Sequence, residues 1–394
     1  GATTTIGGTL GSGTNTVNTT VNAGGLVEVQ SGTLRFLGTF SNHGTANANA
    51  RTLLLNGGGT SSGTFHAGEN GTIQFTGGTQ TLTTVDMQTA AITGAGRTSV
   101  AGGRLDVAGM VTVDAENFGI SSGTLGGAGT LNISGTFEFS GGAMDTAGGV
   151  TNLLEGATAS ISGSGDKVIS GRFFNISGEG AVATWTGTGR INLEDGRITV
   201  SEGGLFDIQN DAQIGDNNAN SINGAVVVGG GGILRKSVGT GTTQIGGSLG
   251  NGSNTVILTV QEDGTVQGRS GVLSLVGGGS VTGTGKLEVS SGARMDLNSA
   301  FTFNGGVING GSDGSGTGAV RNNNTMTISG PTAVNGLLEM SATGSMLTGA
   351  GTLTVNSGGV LNWSGGTMSG AGTTQIDGGG ALNISGTPVK EIAG

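Results

Sequence analysis

The sequence predicts an all-β chain folded as a right-handed parallel β-helix (β-solenoid), an elongated rod of roughly 20-residue coils. Three observations carry that expectation. Glycine supplies 88 of the 394 residues, so turns are frequent. Apolar and polar residues alternate in short runs, which is the period of a strand. The sequence also repeats itself, on two length scales.

Composition removes the competing classes. Collagen needs glycine at every third residue and abundant proline, and here there are two prolines and no such period. Charged residues are 10% and apolar residues 34%, both below globular levels of about 25% and 45–50%. A net charge of −10 is too small, and the apolar alternation too ordered, for simple disorder. The chain has no cysteine, which excludes disulfides, thiolate metal sites and cysteine nucleophiles. Fifteen Lys and Arg in an acidic chain do not make a nucleic-acid surface. No apolar run reaches the roughly 20 residues of a membrane helix, so no membrane insertion is expected. The sequence opens at Gly1, without methionine or a signal peptide, and is read as a mature fragment or an internal stretch of a longer polypeptide.

The longer repeat pairs IGGTLGSGTNTV from Ile6 to Val17 with IGGSLGNGSNTV from Ile245 to Val256, an offset of 239 residues (245 − 6). The likeness runs on through Val27 and Val266, and Leu34 and Leu273. Residues 1–394 are thus expected to form one continuous β-solenoid, with 1–38 resembling 240–277 and 388–394 serving as a cap or a linker. The shorter unit reads G-[AT]-G-x-[LI]-x-[VIL], a turn, a second alternation and often S-G-G. GAGTLNISGTFEFSGG from Gly127 and GAGTLTVNSGGVLNWSGG from Gly349 are two copies. From Gly349 to Gly370 is 21 residues (370 − 349). About 18 such coils, stacked at about 4.8 Å, would extend on the order of 90 Å. One coil cannot bury its apolar side, so stability must come from neighbouring coils.

The alternation assigns the faces. Leu131/Ile133, Phe137/Phe139, Ile191/Leu193, Ile198/Val200, Leu287/Val289, Leu353/Val355 and Leu361/Trp363 are spaced by two and turn inward. Asn132, Glu138, Asn192, Thr199, Glu288, Thr354 and Asn362 lie between them and turn outward. Glycines are expected where a turn needs a positive φ.

Phrases such as NWSGGTMSGAGTTQI (Asn362 to Ile376) and LNGGGTSSGTFHAGENGTIQFTGGTQTL (Leu55 to Leu82) resemble the glycine-rich β-strand repeats of giant bacterial surface proteins. In style they are similar to autotransporter passengers and filamentous-haemagglutinin-type adhesins. The resemblance covers most of the chain. It implies secretion, a bacterial cell-surface location, and a role in adhesion, coating or fibre formation. The sequence contains no β-barrel translocator, which leaves the export route open. The implied partners are the chain itself, by head-to-tail or lateral assembly, adjacent repeats of a longer chain, and cell-surface glycans.

Parallel β-helices also carry polysaccharide-cleaving enzymes, so the alternative is a carbohydrate-active enzyme or a glycan-binding module. Catalysis there needs two carboxylates about 5–9.5 Å apart. The candidates are Glu194-Asp195 and Glu262-Asp263, but each pair precedes a glycine, where an acidic residue favours a turn. Ser41-Asn42-His43-Gly44 shares a His-Gly pair with pectin-cleaving enzymes and lacks their paired-aspartate and Arg-Ile-Lys signatures. His43 and His66 are read as outward-facing corner residues that adjacent coils could bring together as a metal pair. Calcium is the one cofactor the sequence leaves open. Gly310-Gly311-Ser312-Asp313-Gly314 is a lone echo of the calcium nonapeptide, and Asp216-Asn217-Asn218 and Asn322-Asn323-Asn324 are candidate oxygen clusters or plain polar turns. Gly229 to Gly232 lacks the Gly-Lys-Ser/Thr of a phosphate loop. Asn132, Asn175 and Asn383 head Asn-Ile-Ser triplets that match a glycosylation acceptor and also recur as a repeat phrase. Threonines fall mostly at strand starts rather than in Thr-x-Thr rows for ice. Trp185 and Trp363 are the sugar-stacking candidates, although Trp363 alternates in phase with inward Leu361. No catalytic, cofactor or metal residue is assigned, and the chain is expected not to be an enzyme.

Overall fold

Three short strands and three corners make one coil, and each strand pairs with its counterpart in the next coil. The computed structural model describes residues 2–10, 13–250, 252–311 and 318–393. It is all-β, with no helix among the described residues: a parallel β-solenoid of about 17 turns with coils of about 22 residues. The chain divides into two compact units, one comprising Gly1–Asn175 with Gly180–Ala183 and the other Ile176–Glu179 with Thr184–Gly394.

In the first unit, one coil runs Thr130–Ile133, Thr136–Phe139 and Gly142–Met144, and the next runs Val150–Leu153, Thr158–Ile161 and Lys167–Ser170. Pairing is parallel on all three faces, with Leu131 against Thr151, Phe137 against Ala159 and Ala143 against Val168. In the second unit, Met346–Gly349, Thr352–Val355 and Val360–Trp363 lie under Thr367–Ser369, Thr373–Ile376 and Ala381–Ile384. Among the described pairings, two small hairpins run antiparallel, Gly8–Leu10 with Gly13–Asn15 and Thr84–Val85 with Gln88–Thr89. The second turns through Asp86 and Met87, both at positive φ, as a tight hairpin with right-handed twist requires.

The long repeat is also a repeat of pairing. Thr3 pairs with Thr33 and Thr242 with Val272, while Thr19 pairs with Phe40 and Leu258 with Gly279. Each residue of the second set lies 239 positions beyond its counterpart in the first (242 − 3, 272 − 33). The terminal segment, expected as a cap or linker, forms the strand Glu391–Ala393 against Thr367–Ser369.

The core follows the alternation. Leu131, Ile133, Phe137, Phe139, Leu287, Val289, Leu353, Val355, Leu361 and Trp363 are all buried. Each such side chain contributes about 1.5–3 kcal/mol when removed from water. Aromatic rings form runs in the first unit: Phe36 to Phe40 at 4.6 Å, Phe65 to Phe75 at 5.4 Å, and Phe118 to Phe137 at 5.9 Å between centroids.

Positive φ accounts for only part of the glycine content. Gly44 and Gly63 have ordinary φ, yet they stack at the same corner of successive coils. A Cβ on Gly63 would overlap the carbonyl oxygen of Gly44, and one on Gly44 would overlap that of Gly25. The coil spacing fixes those oxygens, so the corner has no room for a side chain. Gly24 is the opposite case, with φ +75° and nothing within 4 Å of an added Cβ. Gly24→Ala is expected to cost about 1 kcal/mol and Gly63→Ala about 3 kcal/mol, since backbone must move. Urea denaturation of the two variants measures the difference; equal costs would remove the stacking explanation.

Candidate functional site

The richest polar constellation is a corner of the second unit, where two of the sequence candidates meet. Strand Ile191–Glu194 ends in Asp195, which takes φ +58° before Gly196. The next strand on that face, Gln213–Asp216, pairs Ile214 with Ile191 and Gly215 with Asn192. One coil therefore carries the chain from Glu194-Asp195 to Asp216-Asn217-Asn218 and stacks the second group on the first.

The side chains bind one another. Asn218 and Asn220 donate their amides to the two carboxylate oxygens of Asp195, at 2.8 and 2.7 Å. Asn192 donates to Glu194 at 2.7 Å and accepts from the Asn217 backbone N–H at 3.0 Å. Asp216 accepts the backbone N–H groups of Asn218 at 2.9 Å and Gly224 at 3.1 Å. Asn254 arrives from the following coil and donates to Asn218 Oδ1, Asn220 Oδ1 and the Ile222 carbonyl. Burial is the main force pushing the Asp216 carboxyl above its usual range. The Asn218 and Gly224 N–H groups oppose it, and the charges of Asp195 and Glu194 add to it. Such oxygen-rich loops suit a hard cation, but here the amide oxygens turn toward the Asn254 amide. Among the described residues, no three His, Asp or Glu side chains are set to hold a metal.

The other acidic pair stays apart. Glu262-Asp263 turns a different corner, between Val256–Val260 and Thr265–Gly268, again with Asp263 at φ +58°. Asp263 bonds the Thr284 hydroxyl at 2.7 Å. The two Glu-Asp-Gly phrases share an aspartate at positive φ, but Gly264 N–H closes a turn onto the Gln261 carbonyl at 3.0 Å while Glu194 belongs to its strand, and the two do not converge as an acid–base pair.

The histidines do not stack either. His43 Nδ1 lies 2.9 Å from the Ser62 hydroxyl, and His66 Nδ1 lies 3.0 Å from the Thr93 hydroxyl. In register, His66 sits over Asn47 rather than His43. Asn322, Asn323 and Asn324 form a polar corner: Asn322 donates to the Met346 carbonyl at 2.9 Å and Asn323 to Asn298 at 2.8 Å. In the calcium-like echo, Ser312, Asp313 and Gly314 lie outside the described residues. Trp185 and Trp363 are both core residues, 0% and 2% exposed, so neither offers a ring to a sugar. Threonines do align, Thr3, Thr33, Thr52 and Thr72 pairing in succession, but as one strand-start residue per coil.

Outward side chains form ladders. In the first unit, Asn175 donates to Asn152 at 2.9 Å and Asn152 to Asn132 at 2.8 Å, so two of the Asn-Ile-Ser asparagines spend their amides on stacking. In the second unit, Asp207, Arg235, Gln267, Glu288 and Asn309 pair in succession. Arg235 bonds Asp207 at 3.0 Å and Gln267 bonds Glu288 at 2.9 Å. Burial alone would raise the Asp207 carboxyl, but hydrogen bonds from Arg235 and Gln209, with the charge of Arg235, outweigh it and hold it below its usual range. Asn192 was assigned outward and is outward, yet it is buried, because the 217–223 loop folds over it.

Three buried cations, Lys167, Arg172 and Lys236, gave no motif in the sequence. Arg172 in the first unit is fully buried and donates four ways: Nε to the Thr151 hydroxyl at 2.9 Å, Nη1 to the Gly127 and Gly126 carbonyls at 2.7 and 3.2 Å, and Nη2 to the Val150 carbonyl at 2.8 Å. Burial pulls its pKa down to about 10, against the pull of Asp145 and Asp106. Those carboxylates are bound to Arg104, which grips Asp145 through two 2.7 Å bonds. The available signal was Thr151, a hydroxyl at a position where the alternation calls for an apolar side chain.

No family model and no curated protein matches the sequence. Among solved structures, the chain is similar to one described as the crystal structure of a TibC-catalyzed hyper-glycosylated TibA55-350 fragment. That alignment has 17% identity and a TM-score of 0.28, covering 92% of this chain and 100% of the other. The functional argument therefore stands on this chain's own residues.

Proposed function

We propose that this chain is an extracellular structural and adhesive segment of a bacterial surface protein or fibre, whose polar faces make surface or glycan contacts. The observation that carries the reading is the set of outward ladders, typified by Asp207, Arg235, Gln267, Glu288 and Asn309, in which Arg235, Glu288 and Asn309 are half-buried and reach solvent while Asp207 and Gln267 are buried beneath their neighbours. The ladders hold amide and ionic groups at a constant spacing along one face, which suits many weak, repeated contacts more than one deep site. The acidic and histidine side chains that could serve catalysis are tied into hydrogen bonds at separate corners, which favours the same reading. Burying Trp185 and Trp363 leaves contact with glycans to hydrogen bonding.

The test is incubation of the chain with an immobilised polysaccharide panel, scoring retention and new reducing ends together. Saturable retention without cleavage is the expected result. New reducing ends would make the chain a carbohydrate-active enzyme, and absence of retention on every glycan and cell surface tried would remove the adhesive role.

A further inference from the structure

Unequal corners cut a notch into the first unit. Between the strands Thr79–Leu82 and Ala91–Val100 the chain spends residues 83–90 on a corner, which folds into the hairpin of Thr84–Val85 with Gln88–Thr89. One coil on, between Arg104–Val107 and Met110–Ile120, the corner is only residues 108–109. The next is residues 127–129, between Thr124–Gly126 and Thr130–Ile133, and the one after lengthens again to residues 145–149. The short corners therefore lie between two long ones, which stand three coil spacings apart, on the order of 14 Å.

Glycine keeps the floor bare. A Cβ on Gly127 would overlap the Val107 carbonyl oxygen, and one on Gly129 that of Gly109. The nearest atom to a Cβ on Gly109 would be the Thr84 hydroxyl oxygen at 3.7 Å, so the base of the hairpin borders the floor. The cavity over this floor is about 650 Å³, within the range of about 300–1,000 Å³ found for small-molecule sites. Ala108, Met110 and Ala128 are exposed along it, and Thr81, Asp106 and Thr130 bring polar groups to it.

The polar groups are held in place before any ligand arrives. Thr81 pairs in register with Asp106, and Asp106 with Gly126. Arg104 reaches across Gly126, where a Cβ would run into its guanidinium. It donates two 2.7 Å bonds to Asp145 and one of 3.0 Å to the Thr146 hydroxyl, which ties it to the far wall. Its Nε lies 2.7 Å from Asp106 Oδ1, which fixes that carboxylate and leaves Oδ2 to accept from a ligand. From behind, Arg172 donates to the carbonyls of Gly126 and Gly127. Arg104 and Arg172 balance Asp106 and Asp145, so this cluster carries no excess charge.

We propose that this notch binds one pyranose residue of a neutral glycan. A sugar ring has an apolar C–H face and a rim of hydroxyls. Ala108, Met110 and Ala128 cover the first, and Asp106 Oδ2 with the Thr81 and Thr130 hydroxyls bond the second. An anionic ligand finds no free cation, because Arg104 spends four of its five donors on Asp145, Thr146 and Asp106. A peptide strand finds no open edge, because the corners are paired between coils: Ala108 N–H bonds the Leu82 carbonyl, Gly129 N–H that of Val107 and Thr130 N–H that of Gly109. The site rests on the glycan contact proposed above and gives it one place on the chain.

The probes are cellotriose, maltotriose, mannotriose and lactose, titrated calorimetrically against the full chain, with amide hydrogen exchange as the second readout. Saturable binding of at least one, with slowed exchange at residues 108–110 and 127–130, is expected. Asp106→Asn and Ala128→Trp should each weaken that binding at least about tenfold. The tryptophan fills the notch from an exposed position, so it tests the site even where Asp106→Asn loosens the coil. Binding unchanged in both variants would overturn the notch and leave the glycan-contact reading standing. Retention by acidic polysaccharides alone would overturn the neutral ligand in the same way. No retention of the unaltered chain on any glycan would remove both.

Discussion

Arg172→Ala should destabilise the first unit by about 3–5 kcal/mol. The loss has two sources. Three backbone carbonyls, of Gly126, Gly127 and Val150, and the Thr151 hydroxyl lose their donor while remaining inside the fold. Each buried acceptor left unmade costs about 1–3 kcal/mol, partly recovered if water enters. The guanidinium also leaves a void, and the surrounding coils relax into it only in part. Arg172→Lys should recover a fraction of the loss, because an ammonium supplies donors but cannot reproduce the planar fork. Guanidinium chloride denaturation gives the magnitude. Hydrogen exchange gives the place, with protection falling first at Val150–Leu153 and Thr124–Gly126. A change below about 1 kcal/mol would mean that the four acceptors are satisfied without Arg172.

Phe137→Ala is expected to have a comparable effect for a different reason. Phe137 is fully buried, with ring centroids of Phe118, Phe139 and Phe174 at 5.9, 6.1 and 6.0 Å. Those neighbours lie on its own coil and on others, so one ring joins several layers of the stack. Removing it costs the transfer free energy of the side chain and leaves a cavity in a narrow column that cannot collapse sideways, about 3–5 kcal/mol together. Phe139→Leu keeps most of the volume and should cost less than about 1.5 kcal/mol. Thermal unfolding followed by circular dichroism compares the two, and a Phe137→Ala loss no larger than that of Phe139→Leu would contradict the layered packing. A stack stabilised by nearest-neighbour interfaces transmits such a loss to adjoining coils.

Much of the fold was legible because it is written in local pattern. Leu131/Ile133 and Leu353/Val355 face inward because a strand alternates its side chains, whatever lies on either side. Asp195 and Asp263 take a positive φ for an equally local reason, an acidic residue before glycine. The glycine content was legible as turns, but its second cause was not. Gly63 is required by the carbonyl of Gly44 in the coil beneath, a neighbour 19 residues away in sequence (63 − 44).

The candidate site was legible only in pieces. Asp195 and the Asp216-Asn217-Asn218 cluster each stood out, yet nothing local said that they share a corner, and Asn220 carried no signal of its own. Asn192 turns outward as the alternation requires, but nothing local shows that the 217–223 loop covers it. Trp185 carried no sign of its burial beyond its place in a strand.

By itself, then, the sequence determined the all-β class, the coil length, the inward and outward residues and the repeat that aligns 1–38 with 240–277. Only the tertiary structure decided which polar groups meet: Asp195 with Asn218 and Asn220, and Arg172 with Thr151 and three carbonyls. The reason is physical. Facing in or out depends on backbone geometry over two residues, whereas side-chain meetings between coils depend on the length of every corner loop between them, and one added residue shifts the partner.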